Sequence, residues 1–184
     1  MAEGATAFRL ETDRLILRDW RADDAQDFHQ LHCDPKVMAT LGPLREMAYT
    51  TNLIADLQQR ALRNGGHTYW AAERKDDGRI IGFCGLDRGY EGTIIGELEI
   101  GWRLASDCWG SGYATEAALA CVDWARANRP GERIVAITAQ GNLNSRALME
   151  RIGMEHVPAL DFEHSKLAAG DPLRPHVVYV KEMG

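Results

Sequence analysis

The chain has 184 residues, of which 45% are hydrophobic and 26% are charged, and its formal net charge at pH 7 is −6. This composition is that of an ordinary globular protein, and the length fits one domain with a sizeable core. The net negative charge argues against broad electrostatic binding to nucleic acid or to an anionic membrane surface.

The first third of the sequence predicts one strand and two helices. An apolar run within residues 14–20 suits a first strand. Asp23 and the residue after it offer a helix start, and the Asp-Pro pair that begins at Asp34 ends that helix. Apolar residues at helical spacing within 53–61 predict a second helix, which ends at the glycine pair that begins at Gly65.

The middle of the sequence predicts three antiparallel strands. Residues 68–74 and 80–86 are β-prone runs joined by an Asp-Asp-Gly turn at 76–78. Another glycine-containing turn leads to a third, long strand over residues 93–104. We expect these three strands to pair as a meander.

The rest of the sequence adds helices and strands in alternation. Residues 112–128 predict an amphipathic helix, 134–138 a buried β-branched strand, and 145–152 a short helix. Residues 156–163 and 177–182 predict two strands around a loop that contains glycine and proline. Because no repeat, linker or low-complexity segment interrupts the sequence, we expect one mixed α/β domain over the whole chain.

The sequence predicts no targeting signal, membrane span or metal site. Residues 1–8 lack the basic-then-apolar order of a secretory signal, and no run approaches the roughly 20 apolar residues that cross a bilayer. His29 and His32 lie three apart on a predicted helix without a third ligand, which favours a structural role over metal binding. The cysteines form no CxxC pair. We therefore expect a soluble cytoplasmic protein with reduced thiols.

Residues 97–117 are the most informative segment, because they predict a strand that runs through a glycine-rich turn into a helix. Gly110 and Gly112 lack Cβ atoms, so the backbone there can turn sharply and approach a ligand closely. Free N–H groups and the positive dipole end of the helix would complete an anion site suited to a pyrophosphate. No lysine follows the glycines as in a Walker P-loop, and the pattern is not GxGxxG. The alternative is a tight connection that binds no ligand.

The sequence of this turn resembles the acetyl-CoA-binding motif of the GNAT superfamily of N-acetyltransferases. That motif has Gln or Arg, two residues, Gly, one residue, then Gly or Ala, and this chain has Trp109, Gly112 and Ala114 at those positions. Trp109 departs from the usual Gln or Arg. The whole string WGSGYATEA is nevertheless similar to the RimJ/RimL-type, ribosomal-protein-acetyltransferase-like branch, in which tryptophan is common at this position.

Other segments resemble the same branch, in family order, over most of the chain. Residues 11–18, ETDRLILR, are similar to its opening ETxRLxLR strand. Residues 142–145, NLNS, are similar to its N-x-x-S segment, and the helix end at 150–154 is similar to the KxGF/M pattern of the family. Parts of the tail, 161–164 and 175–179, resemble a subset of the branch.

The resemblance implies a central, mostly antiparallel sheet that splays at the 93–104 strand, at a bulge, with helices on both faces. It also implies acetyl-CoA as the cosubstrate, with a pantetheine arm that pairs with the backbone of the splayed strand as an added strand would. This pairing falls on Trp102, Arg103 and Leu104, one of whose N–H groups would hold the oxyanion. The pyrophosphate would contact the turn residues Trp109, Gly110, Ser111, Gly112, Tyr113 and Ala114.

Two asparagines and two glutamates are further candidates. Asn142 is expected to meet the pantetheine, and Asn144 either does the same or caps the helix. Amine attack on a thioester needs the free base, so a carboxylate is the expected proton acceptor, directly or through water. Glu97 and Glu99 would share one strand face, where mutual repulsion and partial burial would raise at least one pKa. Family position favours Glu99 as the base, with Glu97 second; alternatively both line a solvated face or bind a cationic substrate.

The leaving thiolate of coenzyme A needs a proton donor, and the tyrosine that many GNAT enzymes supply is missing from the helix after Ser145. Ser145 is therefore the candidate donor or hydrogen-bond partner, and its alternative role is a helix N-cap. Arg146 and Arg151 are candidates for binding the 3′-phosphate of coenzyme A, or are merely solvated. Tyr179 and His176 either edge the acceptor pocket or pack in the core.

Together these features predict acetyl transfer from acetyl-CoA to a primary amine by direct attack in a ternary complex, with no metal and no covalent enzyme intermediate. The acceptor is either a protein N-terminus or a small-molecule amine, and a homodimer is a common assembly in the superfamily. The departure at Trp109 and the missing tyrosine support a second hypothesis, a CoA-binding regulatory or sensor module with little or no transfer activity. A structural role without coenzyme A is the third.

Overall fold

A nine-stranded sheet organises residues 7–183, the part of the chain that the computed structural model describes. Residues 1–6, which belong to the segment searched for a targeting signal, and residue 184 lie outside it. The strands are β1 (Arg9–Glu11), β2 (Leu15–Arg18), β3 (Tyr69–Arg74), β4 (Ile80–Arg88), β5 (Leu98–Leu104), β6 (Ile134–Ala139), β7 (Glu155–His156), β8 (Phe162–Glu163) and β9 (Pro175–Lys181). The helices are α1 (Ala25–Cys33), α2 (Pro35–Met38), α3 (Met47–Arg63), α4 (Tyr113–Asn128) and α5 (Leu143–Arg151).

The strand order gives the sheet a single parallel junction. The order is β1-β2-β3-β4-β5-β6-β9-β7, with β8 also pairing with β9, and every pair is antiparallel except β5 with β6. The β5–β6 pairing is limited to Leu98 opposite Ile134 and Glu99 opposite Val135. Beyond Glu99 the two strands separate and leave a wedge-shaped gap. The predicted mixed α/β fold and the splay in this strand are thus confirmed.

The helices cover both faces of the sheet, as two neighbouring residues of β4 demonstrate. The Cys84 sulfur lies 3.7 Å from that of Cys121 on α4, whereas the Phe83 ring packs edge-on against Phe28 on α1, with centroids 6.0 Å apart. Successive strand residues point to opposite faces, so α4 covers one face and α1 covers the other. No helix within residues 7–183 is both long enough and apolar enough to span a membrane.

The third predicted strand is shorter than expected, and it contains no bulge. It begins at Leu98 instead of residue 93, because Gly92–Ile94 form a 3₁₀ turn and Gly96 adopts a left-handed φ of +84°. The β4–β5 register runs without a shift from Gly82 opposite Leu104 to Arg88 opposite Leu98. The irregularity lies instead between β3 and β4. The expectation of a bulge at the splay was therefore wrong, and the gap arises where β6 diverges.

One other expectation from the sequence needs correction, and one is confirmed with an addition. Residues 156–163 do not form one strand, because Pro158 begins a 3₁₀ turn that separates β7 from β8. Proline lacks the N–H group that a sheet ladder needs. Asp34 ends α1, as predicted, but its side chain also accepts a hydrogen bond from the Lys36 N–H (2.8 Å) and so begins α2.

A buried ion pair fixes the segment that leads into α1. The guanidinium of Arg18 donates two hydrogen bonds to the Asp24 carboxylate, both 2.8 Å long, and the side chains of both residues are only 6% exposed. The same carboxylate accepts a hydrogen bond from the Arg21 N–H at 2.7 Å. The pair therefore holds β2 against the start of the helical region.

Asp24→Ala should lower the free energy of unfolding by about 3 kcal/mol, because it leaves a buried guanidinium without its main partner. Urea denaturation at pH 7 measures this effect. The exposed neighbour provides the matched control, since Asp23→Ala should change the free energy of unfolding by no more than about 0.5 kcal/mol. Equal effects of the two substitutions would contradict this account of the ion pair.

Candidate functional site

The gap between β5 and β6 widens into a cleft of about 1020 Å³. One wall is formed by the end of β5, the glycine turn and the first residues of α4, and another by the start of α5. A segment that sequence reasoning did not single out also lines the cleft, through Lys36, Val37, Ala39, Thr40 and Leu41. The predicted site residues that line it are Trp102, Arg103, Leu104, Trp109, Gly110, Gly112, Tyr113, Ala114, Asn142, Asn144 and Ser145.

The glycine turn forms a row of free backbone donors at the cleft wall. Gly110 and Gly112 have φ values of +75° and +85°, in the left-handed region that favours glycine, and α4 begins at the next residue, Tyr113. No N–H group of residues 110–115 donates a hydrogen bond to another residue in the described chain. Unpaired donors at a helix N-terminus, together with the helix dipole, form an anion site.

Trp109 connects this turn to the end of β5. Its indole N–H donates a hydrogen bond to the Leu104 carbonyl (2.9 Å), while 44% of the residue remains exposed. The interaction satisfies the last carbonyl of the strand and fixes where the turn leaves it. At the position where the motif has Gln or Arg, the tryptophan thus has a clear structural contact.

Arg14 and Glu116 brace the turn, a role that sequence reasoning missed. Glu116, in the first turn of α4, accepts hydrogen bonds from the Thr12 hydroxyl (2.5 Å), the Arg14 N–H (2.8 Å) and the Arg14 side chain (2.7 Å). Arg14 also donates to the Ser111 carbonyl (2.9 Å) and lies over the Tyr113 ring. Burial raises the pKa of Glu116, but these hydrogen bonds outweigh it and hold the pKa below its usual value.

The sequence did contain a signal for this brace. A carboxylate in the first turn of α4 would repel an anion bound there unless a cation neutralised it. Arg14 supplies that cation. Ser111, predicted to contact the ligand, belongs to the turn but does not line the cleft.

At the start of α5, Asn142 has the role of helix cap. Its side-chain oxygen accepts a hydrogen bond from the Ser145 N–H (3.2 Å), and its amide group donates to the Thr40 hydroxyl (3.2 Å). The alternatives that Ser145 or Asn144 caps this helix are therefore wrong. The Ser145 hydroxyl makes no hydrogen bond to any other described residue, so it is free to meet a ligand in the cleft.

Glu99 is a buried carboxylate with an unusual environment. One of its oxygens is buried and has no hydrogen-bond partner among residues 7–183. Burial, with repulsion from Asp87 on β4, raises the pKa of Glu99 to about 7, although the Tyr69 hydroxyl and Arg60 oppose this shift. Such a pKa suits a group that must exchange protons near neutral pH.

Glu97 behaves differently from Glu99. It precedes β5 and forms a two-pronged ion pair with Arg133, with distances of 2.7 and 3.2 Å. The expected mutual repulsion between the two glutamates is not what perturbs Glu99. The interacting carboxylate is Asp87, directly opposite Glu99 in the β4–β5 register.

A second group of polar side chains lies on the α1-covered face of β5. The register places Arg103 opposite Phe83, so Glu99, Gly101 and Arg103 share that face. The Tyr69 ring lies against Gly101, where a Cβ atom would approach a ring carbon to 2.9 Å. This glycine therefore leaves room for the tyrosine beside Glu99.

Other predicted residues divide between the cleft and the core. Arg151 lines the cleft, and its guanidinium approaches the Thr115 hydroxyl at 3.4 Å. Arg146 instead contacts the Tyr179 hydroxyl (3.2 Å), outside the cleft. Tyr179 is only 1% exposed and donates to Glu150, which confirms the core alternative for this residue. His176 lies at a separate cavity of about 300 Å³.

Comparison with known proteins gives a consistent result. Residues 14–155 match the family model described as an acetyltransferase (GNAT) domain. The uncharacterized protein YkkB of Bacillus subtilis (strain 168) is 35% identical over 150 residues, which make up 80% of this chain and 86% of that protein. The crystal structure of the acetyltransferase from Agrobacterium tumefaciens str. C58 has a TM-score of 0.76 at 26% identity, covering 97% of this chain and 96% of its own.

RimL, the ribosomal L7/L12 α-N-protein acetyltransferase solved in complex with coenzyme A, shares the fold. Its TM-score is 0.76 at 16% identity, and the alignment covers 96% of this chain and 98% of RimL.

Glu99→Gln should change how the free energy of unfolding depends on pH. The pKa of Glu99 has its usual value of 4.5 in the unfolded chain, and burial raises it to about 7 in the folded protein. The folded state therefore binds more protons between these values, and wild-type stability falls as pH rises from 4.5 through 7. The loss amounts to about 3 kcal/mol at pH 8. Urea denaturation at pH 5 and pH 8 should show that the neutral substitution removes this fall.

Glu97→Gln is the control for that experiment, because Glu97 is ion-paired and lies outside β5. It should keep the wild-type loss of stability between the two pH values. If Glu99→Gln and the wild type instead give parallel stability profiles, Glu99 does not have the raised pKa.

Proposed function

Since the chain belongs to the acetyltransferase (GNAT) family, and is thus an acetyl-CoA-dependent N-acetyltransferase, we propose that a primary amine receives the acetyl group by direct attack in a ternary complex. The observation that carries this proposal is the row of unpaired N–H groups at 110–115 beside the open edge of β5. Such donors fit a diphosphate, and an unpaired strand edge fits the amide groups of a pantetheine arm.

The residues that would hold acetyl-CoA follow from these two features. The amides of the glycine turn would bind the diphosphate, with Trp109 fixing the turn and Arg14 offsetting the charge of Glu116. The backbone of Trp102–Leu104 would pair with the pantetheine, and one N–H group there would stabilise the charge that develops on the carbonyl oxygen. Arg151 is the arginine that we propose for the 3′-phosphate, because it lines the cleft and Arg146 does not.

Bound acetyl-CoA supplies a thioester whose carbonyl carbon the amine attacks and whose thiolate leaves. We propose that Glu99 takes the proton from the acceptor amine, directly or through water, because its pKa of about 7 and its unpaired oxygen suit that role. Ser145 is proposed as the hydrogen-bond donor to the leaving thiolate, since its hydroxyl is free at the cleft. Burial raises the pKa of Cys108, which argues against a thiolate nucleophile.

The acceptor amine is proposed to belong to a protein N-terminus or to a small molecule. RimL, which shares the fold, is an α-N-protein acetyltransferase. Peptides with free N-termini should therefore be tested alongside small amines. Release of the coenzyme A thiol, recorded for each acceptor in such a panel, tests the proposed reaction. Binding of acetyl-CoA without thiol release from any acceptor would refute it.

Gly112→Asp should weaken coenzyme A binding by about 100-fold or more, because it places a carboxylate among the donors proposed for the diphosphate. Calorimetric titration with coenzyme A measures the change. Gly131→Asp is the matched control: Gly131 also has a left-handed φ, +82°, and lies after α4, away from the cleft. That variant should bind as the wild type does. Unchanged affinity in Gly112→Asp would contradict the proposed diphosphate site.

Glu99→Gln should lower kcat/KM by about 100-fold at neutral pH, because it removes the proposed proton acceptor. In the wild type, kcat/KM should rise with pH through an apparent pKa near 7, as Glu99 loses its proton. The variant should lack this rise. Glu97→Gln should retain both the rate and the pH profile, since Glu97 is occupied by Arg133. A variant profile that still rises near pH 7 would assign the base to another group.

A further inference from the structure

Two arginines near the α1-covered face of β5 carry buried N–H groups that lack a partner among the described residues. The Nε groups of Arg45 and Arg103 are both buried, and neither has a hydrogen-bond partner within residues 7–183. Buried donors are normally paired, because an unpaired one has lost its hydrogen bonds to water without replacement. Burial lowers the pKa of Arg103, yet a guanidinium stays protonated at any pH where proteins fold. Both side chains are therefore cations with donors to spare.

The surroundings of Arg103 contain neutral groups and no carboxylate partner. It donates to the His32 ring (2.8 Å) and lies over the Phe83 ring, with the Tyr49 hydroxyl also close. Burial, with the charges of Arg103 and Arg45, lowers the pKa of His32 to about 4, so the imidazole is neutral and accepts this hydrogen bond. The other His32 nitrogen then donates to the Thr50 hydroxyl at 2.7 Å.

Arg45, in the loop before α3, likewise has a neutral neighbour and no carboxylate partner among the described residues. Its guanidinium lies over the Tyr49 ring, 4.9 Å from the centroid, so this tyrosine adjoins both arginines. In the described chain neither arginine has a carboxylate within 4.0 Å, and the adjacent Glu46 forms no ion pair with Arg45. By contrast, Arg60, whose charge acts on Glu99, is held by two aspartates.

The geometry points to an anion site formed by Arg45 and Arg103 that binds a carboxylate on the amine acceptor. This inference rests on the proposed function, which puts the reacting amine near Glu99. Glu99 and Arg103 lie four residues apart on one strand face, about 13 Å along the strand. After about 3 Å is allowed for the contacts at the ends, an acceptor that reaches both has its amine and carboxylate about 10 Å apart, the span of an extended tripeptide. A single amino acid, with its amine beside its carboxylate, is too short.

The chemistry of the two cations fits such a ligand. A guanidinium binds a carboxylate through parallel N–H groups, and the interaction is strong where water is excluded. The carboxylate would give the buried Nε groups the partners that the protein does not provide. The diphosphate of coenzyme A is assigned to the amides at 110–115, so the acceptor is the remaining source of an anion for this site.

The test compares one tripeptide with its C-terminal amide, which differ by a single charge. With coenzyme A bound, calorimetry should give the wild type at least a tenfold lower Kd for the free acid than for the amide. Arg103→Met and Arg45→Met should each reduce this ratio to near one. Arg103→Lys should keep part of the preference, because it retains the charge without the planar fork. Where thiol release is measurable, the same preference should appear in KM.

Arg126→Met is the control, since Arg126 is an exposed residue of α4 paired only with Asp123. It should keep the wild-type preference for the acid. The proposal fails if the wild type binds acid and amide equally, or if both methionine variants keep the preference. It also fails if these variants lose coenzyme A affinity as strongly as acid affinity. If no acceptor causes thiol release but the wild type still prefers the acid over the amide, the result counts against the proposed reaction and supports the anion site.

Discussion

The site depends on the end of main-chain pairing between β5 and β6. The two strands pair only at Leu98 and Glu99, after which β5 keeps its bonds to β4 but has an open edge on the other side. Backbone polar groups in a protein interior need partners, so an open edge at a cleft is a binding surface. The turn that follows adds further unpaired donors at 110–115. An extended ligand with an anionic end satisfies both sets of groups together.

Sequence reasoning located the parts of the site that depend on local structure. The glycines at 110 and 112 and the helix after them are local features, and the structure has the turn where it was predicted. The parts that were missed depend on partners distant in sequence. Arg14 reaches the turn across 97 positions, and Asp87 faces Glu99 only through the strand register. The start of β5 was wrongly predicted at residue 93, because the long β-prone run outweighed Gly96, which adopts a left-handed φ in the structure.

The buried polar groups on this side of β5 carry a free-energy cost that stability alone would not favour. A carboxylate with a buried, unpaired oxygen and a guanidinium with a buried, unpaired donor lie along one strand face, and Arg45 adds a second such guanidinium from the loop before α3. Apolar residues at these positions would make a more stable core. Groups of opposite charge that stay apart, each lacking a partner, are suited to a molecule that carries both an amine and a carboxylate. The neutral His32 supports this separation, because it orients Arg103 without cancelling its charge.

The alternation of side chains along β5 has an evolutionary consequence. Trp102 is opposite Cys84 and belongs to the face that α4 covers, whereas Glu99 and Arg103 belong to the face of α1 and α3. Substitutions in those two helices can therefore change the side chains around Glu99 and Arg103 while the glycine turn is inherited unchanged. An insertion or deletion within β5 would exchange the two faces and displace both sets of side chains at once. Paralogues of this protein should consequently diversify through α1, α3 and the loop between them, with β5 constant in length.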